Sequence, residues 1–229
     1  MTQDLNAPPL NPLPPIVWIL ALPIIAMEVL LSLGEAGIIG GPQAIGWRLQ
    51  AIERFAMYPN LLRHMLQTQQ FPIDDLARLM TYPLVHGTFT HALFAVVILL
   101  ALGKMVAEIF RWWAVLVVVF GAAIAGALAY GLLVPGLTAP LLGAYPAVYG
   151  LIGAFTFLLW VRLAGEGINR YRAFSLIGFL LLIQLLFGVL FGGTWEWVAD
   201  LAGFTAGFLL SFVVSPGGFR RVVAMIRQR

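Results

Sequence analysis

Six long apolar runs constrain this chain more than any other feature of its sequence. A helix needs about 20 mostly apolar residues to cross the hydrocarbon core of a bilayer, and each run approaches that length. Only 10% of the 229 residues are charged, whereas a water-soluble domain carries about a quarter. We therefore predict an all-α integral membrane protein with six transmembrane helices. The runs span residues 16–33, 92–107, 112–134, 141–161, 174–191 and 197–214.

The longest connection lies between the first two runs, at about residues 34–90. It mixes aromatic residues and leucines with arginines, which is typical of amphipathic helices lying in the membrane interface. Residues 1–15 are proline-rich and carry no Lys or Arg, so they do not resemble a signal peptide. We expect an N-terminal cytoplasmic tail at 1–15, a six-helix membrane domain at 16–215 and a basic C-terminal tail at 216–229.

The distribution of Lys and Arg predicts that both termini are cytoplasmic, because cytoplasmic loops are enriched in these residues. The two short loops on the opposite side, at 135–140 and 192–196, carry none. The arginines of the long connection count for less, since long interfacial segments bias orientation weakly. The short loops favour a bacterial inner membrane. The basic residues on the cytoplasmic side are Lys104, Arg111, Arg162, Arg170, Arg172, Arg220, Arg221, Arg227 and Arg229.

Composition also excludes several classes of function. The sequence contains no cysteine, which excludes a disulfide framework, a thiol enzyme and a Cys-ligated metal site. The net charge of +3 is most simply explained by arginines at the lipid headgroups, so we expect the bilayer rather than a nucleic acid as a partner. His86 and His91 without a third ligand make a poor metal site, and we expect no cofactor. An internal repeat typical of transporters is not found.

Few polar residues fall inside the apolar runs, and each is a candidate for function. His91, Tyr145 and Asp200 open runs that begin on the non-cytoplasmic side, so we expect them at one depth. A buried carboxylate needs a partner, and the expected partner of Asp200 is Tyr145 or protonated His91. Gln184 is interpreted as an interhelical hydrogen-bonding residue. For Glu28, a buried position and a partly exposed one are equally consistent with the sequence.

The segments 78–91, 143–151 and 199–207 resemble the rhomboid family of intramembrane serine proteases. They match the stretch leading into the family's second helix, the region around its nucleophile on the fourth helix, and its sixth-helix motif. The resemblance implies a six-helix bundle with a long interfacial connection after the first helix. In the last segment, Gly203 and Gly207 form a Gly-x-x-x-Gly pair, which lets another helix approach closely.

The resemblance also implies that the catalytic positions are substituted. The family serine of Gly-x-Ser-Gly corresponds to Tyr145, with Pro146 in place of the next glycine. The histidine base corresponds to Asp200, and the asparagine that helps to stabilise the oxyanion corresponds to Ala95. Because hydrolysis of this type needs a nucleophile beside a base, and donors for the oxyanion, we expect no intact catalytic set. The predicted pseudo-active site comprises His86, His91, Gly143, Tyr145 and Asp200.

Two functions are consistent with this resemblance. Inactive relatives of rhomboid proteases bind transmembrane segments of other membrane proteins, and we favour this function for the chain. The alternative is an active serine-type endopeptidase of the rhomboid family with a non-standard site, for example with Tyr145 as nucleophile and Asp200 as base. A phenol is hard to ionise beside a carboxylate in a low dielectric, which argues against that pair. The oligomeric state stays open.

Overall fold

The structure is a computed structural model that describes residues 12–134, 139–191 and 195–217. Within these ranges the chain forms nine α-helices. They are Pro15–Glu35 (α1), Trp47–Phe55 (α2), Pro59–Thr68 (α3), Ile73–Thr81 (α4), Phe89–Ala107 (α5), Trp112–Leu133 (α6), Tyr145–Gly165 (α7), Ser175–Phe191 (α8) and Glu196–Val214 (α9). Most of both predicted tails, and parts of the two short loops at 135–140 and 192–196, lie outside the described residues.

Five helices are long and apolar enough to cross a membrane, namely α1, α5, α6, α7 and α9. They coincide with five of the six predicted runs. The remaining run coincides with α8, which has 17 residues and would extend over about 26 Å at 1.5 Å per residue. The chain is therefore an integral membrane protein whose described residues are all-helical, with five candidate spans and α8 as a further apolar helix.

The long connection after α1 folds into α2, α3 and α4, as the amphipathic pattern predicted. Two of its arginines bond to the last carbonyl groups of helices, which have no partner within their own helix. Arg78 Nη1 donates to the carbonyl oxygen of Ala56 (3.0 Å), directly after α2. Arg63 donates to the carbonyl oxygens of Gly131 (3.1 Å) and Val134 at the end of α6. The Arg78 bond joins α4 to the end of α2 within the connection, and the Arg63 bonds fix the connection against α6.

Glycines allow α9 to cross α7 at backbone contact. A Cβ atom at Gly203 would collide with the carbonyl oxygen of Pro146, and one at Gly207 would collide with that of Gly150. Two small residues one turn apart therefore let the two helices meet without intervening side chains. This crossing holds the start of α9 beside the start of α7.

The fourth apolar run begins at residue 141, but its helix begins at Tyr145, the residue that the sequence indicated as its opening. Leu141 is paired with Met57 through two backbone hydrogen bonds (3.0 and 2.8 Å) and is therefore extended. Gly143 then adopts a φ of +88°, a left-handed conformation that favours glycine. Pro146 stands in the first turn, where its missing N–H costs nothing.

Candidate functional site

A cavity of about 130 Å³ lies among the starts of α5, α7 and α9 and the second half of α8. It brings together His91, Tyr145 and Asp200, which the sequence placed at one depth. Asp200 is only 3% exposed, whereas His91 and Tyr145 are half-buried. The cavity therefore leads from the surface of the bundle to a buried carboxyl group. Its lining residues are His91, Leu141, Leu142, Tyr145, Pro146, Gln184, Glu196 and Asp200.

His91 lies between two other rings. Its ring stacks on Tyr145, with centroids 4.9 Å apart and an interplanar angle of 20°. The edge contact with His86 has a centroid distance of 5.1 Å and an angle of 76°. A Cβ atom at Gly143 would lie 2.8 Å from His91 Cε1, so this stack requires glycine at that position. Tyr145, which opens α7, is thus held by ring packing.

His86 is fully buried and supports the turn that precedes α7. Its Nε2 accepts a hydrogen bond from the backbone N–H of Ala144 (3.1 Å), so the ring proton belongs on Nδ1. Burial, together with the nearby His91 and Arg48, lowers the pKa of His86 to about 4, although Glu28 acts in the opposite direction. His86 is therefore a neutral acceptor at neutral pH, and its bond to Ala144 fixes the residue next to Tyr145.

The side-chain donor to Asp200 is Gln184, and this corrects the expectation that Tyr145 or His91 would be its partner. Gln184 Nε2 donates to Asp200 Oδ2 at 2.7 Å. The bond joins α8 to α9, which is the interhelical role that the sequence indicated for Gln184. The other amide atom, Gln184 Oε1, is buried and has no donor in the described part of the chain.

A buried ion pair joins α2 to α1. Arg48 bonds to both carboxylate oxygens of Glu28, at 2.9 and 3.1 Å, and the two side chains are 11% and 7% exposed. Arg48 Nη1 also donates to the carbonyl oxygen of His86 (2.9 Å), and Ser32 Oγ donates to Glu28 Oε1 (2.8 Å). The hydrogen bonds from Arg48 to Glu28 raise the pKa of Arg48 above its usual value. This network links the interfacial helices to the cavity through His86.

Sequence reasoning missed this pair. A carboxylate inside an apolar run needs a cation, so Glu28 was itself the signal. The chain offers four arginines in the long connection, namely Arg48, Arg54, Arg63 and Arg78. Spacing alone does not select one of them, because the choice depends on how α2 folds back against α1.

The described residues assemble hydrogen-bond acceptors rather than an activated nucleophile. Ser32 is bonded to Glu28 and Arg48, and Ser211 Oγ donates to the carbonyl oxygen of Gly207 (2.7 Å). Ala95 is fully buried, and its side chain carries no hydrogen-bond donor. No group of three or more His, Cys, Asp or Glu that could hold a metal ion occurs among the residues that the structure describes.

A family model for the rhomboid domain matches residues 74–217, more than half of the chain. The chain belongs to the rhomboid family. The matched segment runs from α4 to the end of α9 and includes the whole lining of the cavity. A search of the curated proteins finds no match. The rhomboid domain and the apolar helices together identify an integral membrane protein.

Removing Glu28 alone should destabilise the fold more than removing Glu28 and Arg48 together. Glu28→Leu leaves the buried guanidinium without its main partner, and we expect a loss of about 3 kcal/mol in the free energy of unfolding. Glu28→Leu/Arg48→Leu leaves no buried charge and should cost less. Unfolding experiments in mixed micelles measure the free energy of unfolding of both variants. Glu166→Leu is the control, because its pair with Arg162 is exposed, and it should have no measurable effect. A double variant at least as destabilised as the sum of the single variants would contradict the pairing.

Acid should destabilise the protein in part through His86. Its pKa is about 4 in the folded state and about 6.5 when unfolded, so between these values only the unfolded chain takes up the proton. The stabilisation is complete above pH 6.5 and is lost as the pH falls towards 4, by about 3 kcal/mol. We expect His86→Gln to show a shallower decline of unfolding free energy between pH 7.5 and 4.5. His64→Gln, at an exposed histidine, should behave as the wild type; equal slopes for all three proteins would refute the assignment.

Proposed function

We propose that this rhomboid-family protein is proteolytically inactive and binds transmembrane segments of other membrane proteins. The proposal rests on the contacts that the residues at both substituted catalytic positions make. Tyr145 stacks on His91, and Asp200 accepts a hydrogen bond from Gln184. Rhomboid-type hydrolysis requires a nucleophile bonded to a general base, and neither contact supplies that arrangement.

The depth and polarity of the cavity support a binding role. Asp200 is the fifth residue of α9 and therefore lies about 6 Å along the helix axis from its start. A buried carboxyl at that depth in a membrane is costly and points to function. A polar cavity can satisfy backbone groups that a broken helix exposes. These features suit a partner whose transmembrane segment contains helix-breaking residues.

We further infer six membrane spans, with α8 as the fifth and both termini cytoplasmic. The positions of the helix starts support this topology. Because α7 and α9 both start at the cavity, the chain between them must cross the membrane once more. The contact of Gln184 with Asp200 supports an antiparallel α8 packed beside α9. The distribution of Lys and Arg supports the orientation, and the short loops support a bacterial inner membrane.

A cleavage assay in liposomes separates the proposal from an active endopeptidase with a non-standard site. We expect the purified wild type to give no product from a generic rhomboid transmembrane substrate that an active rhomboid protease cleaves in parallel. Tyr145→Ser/Pro146→Gly/Asp200→His restores the family's residue types and tests whether the surrounding fold supports catalysis once they are present. Product from the wild type that disappears in Tyr145→Phe or Asp200→Ala would overturn the proposal.

A further inference from the structure

We propose that the cavity selects transmembrane partners that present a lysine or arginine side chain to Asp200. This inference rests on the proposed function and names the class of partner. A segment that meets Asp200 must carry the basic residue about one helical turn inside the non-cytoplasmic membrane boundary, since Asp200 is the fifth residue of α9. Other transmembrane segments would bind without this preference.

The cavity has more acceptors than donors at its buried end. A carboxylate has room for about four hydrogen bonds, and among the described residues Gln184 Nε2 donates one of them to Asp200. Gln184 Oε1 is a second buried acceptor, and it lacks a donor among the residues described. A ligand that brings several N–H groups would therefore satisfy oxygen atoms on both α8 and α9. Lysine ammonium and arginine guanidinium groups carry three and five such donors.

The charges around the cavity also favour a cationic ligand. No lysine or arginine occurs among its described lining residues, whereas Glu196 places a second carboxyl group on the lining. Arg48 is bonded to Glu28 and to the carbonyl oxygen of His86, and His86 is neutral. A cationic side chain would therefore be attracted to Asp200, and an acidic one would be repelled.

Size and membrane energetics favour a side chain of a transmembrane helix as the occupant. The volume of about 130 Å³ holds several water molecules and hence the end of a lysine or arginine side chain. A basic residue inside the bilayer is costly for its own helix and pairs with an acidic group when it can. Binding at the cavity would relieve that cost, so selection arises from the partner's instability as well as from the attraction of Asp200.

Binding of three synthetic peptides in liposomes tests the inference. Each peptide is a Leu/Ala transmembrane helix with uncharged polar ends. Its fifth residue, counted from the end on the cavity side of the bilayer, is Lys, Leu or Glu. Because the chain has no cysteine, one introduced cysteine carries the dye for energy transfer to a labelled peptide. We expect the Lys peptide to bind about 10-fold more tightly than the Leu peptide, equivalent to about 1.4 kcal/mol, and the Glu peptide to bind most weakly.

Asp200→Asn should reduce the advantage of the Lys peptide over the Leu peptide to less than about 2-fold. Asp74→Asn is the matched control at an exposed position on α4 and should keep the full preference. If Asp200→Asn fails to fold, the comparison of Lys and Glu peptides on the wild type decides the sign of the preference. Equal binding of all three peptides would overturn the inference and leave the proposed function standing, whereas binding of none of them would overturn both.

Discussion

A polar group placed inside a bilayer must find its partner within the protein, and this requirement organises the structure. A buried carboxyl group without a partner would be strongly destabilising. Glu28 meets the requirement through Arg48, which attaches α2 to α1. Asp200 meets it through Gln184, which attaches α8 to α9. The two pairs thus connect the interfacial helices and the short helix α8 to the rest of the bundle.

A continuous series of contacts connects the first of these pairs to the cavity. Arg48 bonds to Glu28 and to the carbonyl oxygen of His86. The ring of His86 accepts the N–H of Ala144, which directly precedes Tyr145. The position of the tyrosine ring therefore depends on an ion pair that contains neither a cavity residue nor a member of the family's catalytic set. Changes in the interfacial connection have a physical route to the cavity.

The apolar runs predicted the long helices to within a few residues because hydrocarbon thickness dictates their length. The fourth run begins four residues before α7, since the pairing of Leu141 with Met57 is a tertiary contact that a hydropathy pattern does not contain, although Tyr145 was indicated as the opening residue. The polar residues of the cavity were found for a similar reason, because depth follows from position within a run. The partner of Asp200 was not predicted, since its identity depends on how α8 is rotated so that Gln184 faces α9. The choice of Arg48 for Glu28 likewise depends on the path of the connection.

We propose that the rhomboid fold here surrounds a cavity without an activated nucleophile. Reaction with a fluorophosphonate probe, followed by mass spectrometry, tests this claim directly on the protein in liposomes. The account predicts no adduct on Tyr145 or on any of the four serines, under conditions that fully label an active rhomboid protease. A stoichiometric adduct on Tyr145 that is lost in Asp200→Ala would contradict it.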